Sequence, residues 1–555
     1  MLGVSASALI GEGALPPVRH VAQGRQAAVA TSHPLATAAA INALRQGGNA
    51  IDAAVAAGLT LGVVDAQNSG IGGGCFLLVR LADGRFLAYD GRETAPEGAT
   101  RDMFVRDGRA VPALSQTGAL AIGVPGSLAV YDRVVREHGR LQLADLLLPA
   151  ADLAGQGFPI DAAWAARLES AAEDLRGFAE SARVLLRPDG APRAAGEVQL
   201  QPDLARSYRA IAKNGVGWFY GGGFARATER WMKQHGGLIT VEDFRSYRVR
   251  MREPVRATYR DCLIHGFPPP SSGGVHVAQM LNMLEVFELK GMTEADRVHT
   301  IIEVAKRAFA DRAYWLGDAD HVKVPRGLLD KGYARRLVRS IDSRVATEVR
   351  RHGEPPGAMR DWFGRHTTHF TVADAAGNWV ACTATVNTSF GSKVIIPGTG
   401  VVMNNQMDDF SAQPGAPNAF GLVGAEANAV APGKRPLSSM SPTIVERAGR
   451  PILTVGGAGG PTIITQVVLA LVRHLDLGWP LERCLESPRY HHQWRPDVVR
   501  YEKDLDKELV GELGRRGHKL QAVTGLGVSQ AIGIAEDGGF IAVSEPRGLG
   551  SAAAE

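Results

Sequence analysis

The side chains best suited to chemistry in this sequence are threonines at strand ends. From residue 379 to 387, Trp379, Ala381, Thr383, Thr385 and Asn387 fall on one face of a strand, and Val380, Cys382, Ala384 and Val386 on the other. The second face is wholly apolar, whereas the first turns polar toward its end, so Thr385 and Asn387 emerge together. A turn at Ala376-Gly377-Asn378 makes the preceding run its hairpin partner, and antiparallel pairing brings Thr367 toward that polar end. Ahead of Thr367, residues 340–366 are polar and turn-rich and read as a mobile linker. Cleavage between His366 and Thr367 would give Thr367 a free α-amine, able to act as general base for its own hydroxyl: the arrangement of an N-terminal nucleophile. A Thr367-Thr368 pair is also what β-branched packing in an ordinary strand looks like, and the pattern alone leaves both readings open.

Other motifs carry weaker chemistry. Gly70-Ile71-Gly72-Gly73-Gly74-Cys75 fails as a dinucleotide fingerprint, because Cys75 stands where G-x-G-x-x-G needs glycine and the run leads into a strand. It reads instead as a tight backbone passage beside the core. Gly456-Gly457-Ala458-Gly459-Gly460 lacks the Gly-Lys-Ser/Thr ending of a phosphate cradle. His491-His492 offers adjacent imidazoles, whose side chains diverge, and no second ligand cluster accompanies them, so no metal is expected. Cys75, Cys262, Cys382 and Cys484 form no C-x-x-C pair and read as four free thiols.

The elements that must position these residues are legible in outline. Ser32-His33-Pro34 opens an Ala-rich helix closed by Gly47-Gly48, and a second apolar helix runs over 49–64. The glycine run feeds a strand at 76–80, and Asp83-Gly84 turns it into another at 86–89, which ends at Asp90-Gly91-Arg92-Glu93. Residues 130–260 read as mostly helical. Pro268-Pro269-Pro270-Ser271-Ser272-Gly273-Gly274 is a rigid turn before a helix at 275–289, and a charged helical region follows over 293–311.

Composition narrows the class. With 61 Lys+Arg against 57 Asp+Glu in 555 residues, a net charge of +4 is too small to argue for nucleic acid or an anionic membrane. The 45% hydrophobic content supports a large core. No apolar stretch reaches the roughly 18 residues a spanning helix needs. Residues 1–30 read as a flexible leader without the basic start of an export signal.

The motifs above, taken with Asn387-Thr388-Ser389-Phe390-Gly391, Asn404-Asn405-Gln406-Met407-Asp408-Asp409-Phe410-Ser411 and Pro436-Leu437-Ser438-Ser439-Met440-Ser441-Pro442-Thr443, resemble those of the γ-glutamyltransferases. The likeness runs in the family's order over about residues 30–545, with upstream matches at 70–76, 91–96, 101–104 and 268–274. It implies an α+β fold: a four-layer αββα sandwich of the N-terminal nucleophile hydrolase type, one structural domain built as an interleaved heterodimer from a single precursor. The large subunit would span 31–366 and the small one 367–555.

The resemblance makes Thr367 the autoprocessing residue and nucleophile, Thr385 the hydroxyl that supports it, and Gly459 and Gly460 the oxyanion-binding pair. Arg92 would grip the substrate α-carboxylate with help from Ser438 and Ser439. Asp409 would accept the α-ammonium, supported by Gln406 and Asn387. Phe420 stands where many members carry a tyrosine in the lid loop, which implies looser gate closure, and Cys75 replaces a glycine common in the Gly-rich loop.

The implied reaction is attack of Thr367 on the γ-amide of glutathione or a related γ-glutamyl compound, then transfer to water or to an amino acid or peptide acceptor. It needs no metal or organic cofactor. Rival expectations are another amide hydrolase on the same scaffold, of the oxamate or cephalosporin acylase type, and a non-catalytic binding protein. The resemblance also implies a periplasmic or secreted location, with a cytoplasmic one as the alternative.

Overall fold

Alternating apolar and polar positions need two faces to bury against, and the chain supplies them as two stacked sheets. The computed structural model describes residues 15–358 and 370–555. Thr367, the predicted nucleophile, and its neighbours His366, Thr368 and His369 lie outside the described residues.

Each sheet has seven strands, all antiparallel. The first runs Ser551–Ala554, Ala27–Thr31, Thr371–Asp374, Trp379–Thr385, Gly74–Arg80, Phe86–Gly91 and Arg250–Arg252. The second runs Val21–Gly24, Phe540–Val543, Val528–Ile534, Arg450–Ala458, Thr443–Arg447, Cys262–Gly266 and Val255–Tyr259. Both sheets contain strands from before and from after position 366, so the two halves share one core.

The strand period decides what each face meets. Phe76, Leu78 and Ala381 point inward against Ile444, Ile532 and Ala542 of the second sheet. Thr371 Oγ1 bridges the sheets to Thr454 Oγ1 at 3.0 Å, and Arg80 Nε to Glu446 Oε1 at 2.8 Å. Leu77, Val79, Val380 and Cys382 point outward onto the helices Pro34–Arg45, Ala50–Val64 and Ser127–His138. On the far side, Gly273–Leu284 and Thr462–Leu471 cover the second sheet. The result is a helix, sheet, sheet, helix stack of mixed α and β structure. Each fully buried Leu, Ile, Val or Phe in it contributes about 1.5–3 kcal/mol.

Local signals account for the helices beside the site. His33 caps the first through Nδ1, which accepts from the Leu35 N–H at 3.2 Å, with Pro34 at its first turn. Asn49 caps the second, with Asp52 returning a bond to the Asn49 N–H at 2.8 Å.

Four expectations need correction. The leader does not extend to residue 30, because Val21–Gly24 and Ala27–Thr31 are sheet strands and residues 27–31 are buried. The helical region ends at Ser246, after which Arg250–Arg252 and Val255–Tyr259 are strands. The helix expected at 275–289 is Gly273–Leu284. The charged helix is Glu294–Trp315 and is buried over most of its length, where Glu303 pairs with Lys306 at 2.8 Å and Arg307 at 2.9 Å. Among the described residues no helix is long and apolar enough to cross a membrane.

Candidate functional site

A cavity of about 460 Å3 opens where the strand Trp379–Thr385 ends. Every predicted site residue among the described ones lines it: Arg92, Thr385, Asn387, Gln406, Asp409, Ser438, Ser439, Gly459 and Gly460. They come from five separate stretches of chain, and each stretch is held by a different device.

The Gly-rich run holds the strand end. Thr385 pairs with Gly74 in register, and a Cβ on Gly73 would collide with the Thr385 carbonyl oxygen. Only glycine lets the two backbones approach this closely. The Asn387 N–H donates to Thr385 Oγ1 at 2.8 Å. With that lone pair occupied, the Thr385 hydroxyl proton is free to be donated outward. Asn387 lies past the strand, at φ 83°, and reaches the cavity through a turn rather than by strand alternation.

Asn404 and Asn405 tie this strand end to the next segment. Asn404 Nδ2 donates to the Gly72 and Gly123 carbonyls, both at 2.8 Å, and the Asn405 carbonyl accepts from Asn387 Nδ2 at 3.0 Å. The following turn of 3-10 helix, Gln406–Asp409, separates the two aspartates. Asp408 is buried against Ser115 Oγ at 2.6 Å, whereas Asp409 faces the cavity.

Arg92 sits at the end of the strand Phe86–Gly91, its N–H held by buried Asp90 at 2.7 Å. Its guanidinium donates to the Pro436 and Leu437 carbonyls at 3.1 and 3.2 Å and to Asp409 Oδ2 at 2.5 Å. The predicted carboxylate and ammonium sites thus touch directly, a contact that sequence did not reveal. Gln406 Nε2 also donates to Asp409 Oδ2, at 2.7 Å, and Asn418 Nδ2 to Oδ1 at 3.3 Å. Among the described residues Arg92 Nη1 is buried without a hydrogen-bond partner, 3.8 Å from Glu93 Oε2.

In the roles the resemblance implies for Arg92 and Asp409, a zwitterionic α-amino acid end would exchange into this pair, placing its carboxylate on the guanidinium and its ammonium on Asp409. Asp409→Asn keeps the shape and removes the charge. The expected result is an about 10- to 100-fold fall in kcat/KM for a γ-glutamyl anilide, the scale of a lost charge-assisted bond. An anilide lacking the α-ammonium should change far less, and steady-state kinetics on both compounds checks this.

Burial pushes the Glu93 carboxyl up to about 7, opposed by the neighbouring Arg92 charge. Between about pH 4.5 and 7 the unfolded chain releases this proton while the folded chain retains it, so stability falls as pH rises through that window. Glu93→Gln should therefore shrink the loss of denaturant midpoint between pH 5 and pH 8, as urea titrations at both values would record.

Ser438 and Ser439 are clasped by the Pro-Ser-Gly turn. The Ser272 N–H and hydroxyl both donate to the Ser438 carbonyl, at 2.8 and 2.7 Å, and Ser271 Oγ donates to the Met440 carbonyl at 2.7 Å.

Gly459 and Gly460, at φ 138° and 61°, lie between the strand Arg450–Ala458 and the helix Thr462–Leu471. Among the described residues neither amide N–H has an acceptor. Two unpaired donors beside a helix N-terminus suit a developing negative charge. The Phe420 ring lies against Gly460, where a Cβ would come within 2.7 Å of its Cδ1. Its loop is fixed by Asn418 Oδ1, which accepts from the Phe420 and Leu422 N–H groups at 3.0 and 3.1 Å.

Sequence reasoning missed Arg312, Ser272, Asn418 and Glu93 as parts of the site. Only Glu93, adjacent to Arg92, had a local signal. His491 and His492 hydrogen-bond to Thr465, Gln493 and Asp497. Among the described residues no group of three or more His, Cys, Asp or Glu could hold a metal ion. All four cysteines are free and buried.

Known proteins resemble this chain over most of its length. The chain is 40% identical to a glutathione hydrolase proenzyme of Escherichia coli (strain K12), over 96% of this chain and 92% of that one. It is 38% identical to an acylase ACY 1 proenzyme of Pseudomonas sp. (strain SE83), over 90% and 88%. Among solved structures, the cephalosporin acylase from Bacillus halodurans superposes with a TM-score of 0.86 at 28% identity, covering 97% of this chain and 98% of that one. The family model for gamma-glutamyltranspeptidase matches residues 36–555, and the chain belongs to that family.

Proposed function

We propose that this chain is a γ-glutamyltransferase and glutathione hydrolase that matures by cutting itself between His366 and Thr367. The observation that carries the reading is the meeting, in one cavity, of the Arg92–Asp409 pair, the Thr385 hydroxyl and the two unpaired amides of Gly459 and Gly460.

In maturation, Thr367 Oγ1 attacks the His366 carbonyl carbon, and the peptide C–N bond breaks as the amide becomes an ester. Water then cleaves the ester, leaving a carboxylate on His366 and a free amine on Thr367. The observed register pairs Thr371 with Ala381 and Ala373 with Trp379. We assign the hydroxyl that supports the nucleophile to Thr385, at the end of the partner strand Trp379–Thr385.

In turnover the Thr367 amine takes the hydroxyl proton as Oγ1 attacks the γ-carbonyl. The oxyanion is held by the Gly459 and Gly460 N–H groups, and collapse expels the leaving amine with that proton. For glutathione the leaving group is cysteinylglycine. Water, or the amine of an amino acid or peptide, then attacks the γ-glutamyl ester and regenerates Thr367. Every step uses side chains and backbone amides of this chain. A periplasmic or secreted location belongs to the same proposal, tested by locating the activity in fractionated cells.

The similarity to named acylases supports a second reading, hydrolysis of another amide on the same scaffold. Asp409 argues against it, because its carboxylate faces the cavity where the α-ammonium of a γ-glutamyl group would pair with it, a cation that an acyl group without an α-amine does not bring. Purified protein assayed with a γ-glutamyl anilide should release the chromophore. Two chains on a denaturing gel without release would favour the acylase reading, and a single chain without release would favour a non-catalytic protein.

A further inference from the structure

The helix Glu294–Trp315 brings one cation to the cavity that the proposed chemistry does not use. Arg312 is buried, lines the cavity with Arg92, Asp409 and Ser439, and differs from its helix neighbours in what it binds. Asp311 accepts from Gln279, Tyr333 and Gly353, and Glu303 takes Lys306 and Arg307. Arg312 donates instead to two hydroxyls, Ser439 Oγ at 2.8 Å and Ser272 Oγ at 2.9 Å. Among the described residues no carboxylate pairs with it. Burial lowers its pKa only to about 10, so it remains a cation at neutral pH.

Guanidinium is donor-only, so each serine must accept from it and direct its own proton elsewhere. Ser272 sends that proton to the Ser438 carbonyl, fixing the backbone of the serine pair. Ser439 is left with its proton for the cavity. Beside the serine pair two guanidiniums, Arg92 and Arg312, then stand against the carboxylate of Asp409 and the carboxyl of Glu93, which burial pushes up to about 7 and so leaves only partly ionised at neutral pH, a local excess of positive charge that an incoming carboxylate offsets.

We infer that Arg312 is a positioning residue for substrate recognition: it orients the Ser439 hydroxyl to donate to the substrate α-carboxylate and makes the cavity selective for that group. The inference rests on the γ-glutamyl reading above.

The test compares wild type, Arg312→Met, Arg312→Lys and Ser439→Ala on γ-glutamyl-4-nitroanilide and on 4-aminobutyryl-4-nitroanilide, which lacks only the α-carboxylate. Appearance of two chains on a gel reports folding and maturation of each variant. Arg312→Met should raise KM for the γ-glutamyl compound about 10- to 100-fold with kcat within about threefold, and change kcat/KM for the 4-aminobutyryl compound less than about threefold. Arg312→Lys should recover part of the loss, since charge returns without the forked donors. The Arg312→Met/Ser439→Ala double variant should be little worse than Arg312→Met, as the two act as one unit.

Equal losses on both substrates, or a fall in kcat with KM unchanged, would overturn the inference. If Arg312→Met does not mature, Arg312→Lys and Ser439→Ala decide by the same substrate ratio. A wild type silent on the γ-glutamyl compound defeats the underlying reading, whereas an active wild type with no substrate-dependent effect defeats this inference alone.

Discussion

Thr367→Ala is expected to accumulate as a single 58.9 kDa chain and to lose γ-glutamyl anilide release by about 10⁴–10⁶-fold, the scale seen when a covalent nucleophile is removed. Methyl for hydroxyl blocks both chemistries at once. Without Oγ1 there is no shift of the His366 acyl group, so no α-amine is freed, and no oxygen attacks the γ-carbonyl. Thr367→Ser restores both groups and should mature and turn over, at reduced rate because the β-methyl no longer restricts χ1. A Thr367→Ala protein that cleaves normally, or retains more than about a hundredth of wild-type turnover, would place the nucleophile elsewhere.

The second large effect is expected at Gly459. A Cβ there would lie 2.9 Å from Gly527 Cα and 2.6 Å from Thr462 Oγ1, and φ of 138° is not open to an L side chain without strain. Gly459→Ala must therefore turn the local peptide, swinging the N–H away from the cavity. The expected cost is about 10²–10³ in kcat, the loss of one oxyanion donor, with KM changed little because the oxyanion exists only beyond the ground state. Arg92 and Asp409 are untouched by the change, so binding serves as the internal control. A KM rise with kcat preserved would mean that these amides bind substrate rather than stabilise charge in the transition state.

Features set by local periodicity were legible in the sequence. The alternation from Trp379 to Thr385 assigned each side chain to its observed face, and the Gly-rich run before Phe76 marked a close backbone passage because Gly73 has no alternative beside the Thr385 carbonyl. The described positions carried by family resemblance, Arg92, Thr385, Asn387, Gln406, Asp409, Ser438, Ser439, Gly459 and Gly460, line one cavity.

Features set by contacts between distant segments were not legible. Ser272 clasps Ser438 across 166 residues, and Arg312 reaches Ser439 across 127. Nothing in either local stretch specifies its partner. The strands Val255–Tyr259 and Cys262–Gly266 sit in sequence that follows a long helical region; they pair with each other, and the pairing of Cys262–Gly266 with distant Thr443–Arg447 is what fixes them as sheet. Arg92 and Asp409 were assigned opposite roles at one ligand, but their contact with each other depends on the turn Gln406–Asp409 presenting the second aspartate and burying the first.

Self-cleavage at one bond is the central claim, and N-terminal sequencing with intact mass of the purified protein tests it most directly. Dividing 58.9 kDa in the proportion 366 to 189 residues predicts chains of about 39 and about 20 kDa, the smaller beginning Thr367-Thr368-His369-Phe370. A single chain of full mass, or a small chain beginning at any other residue, would contradict the account.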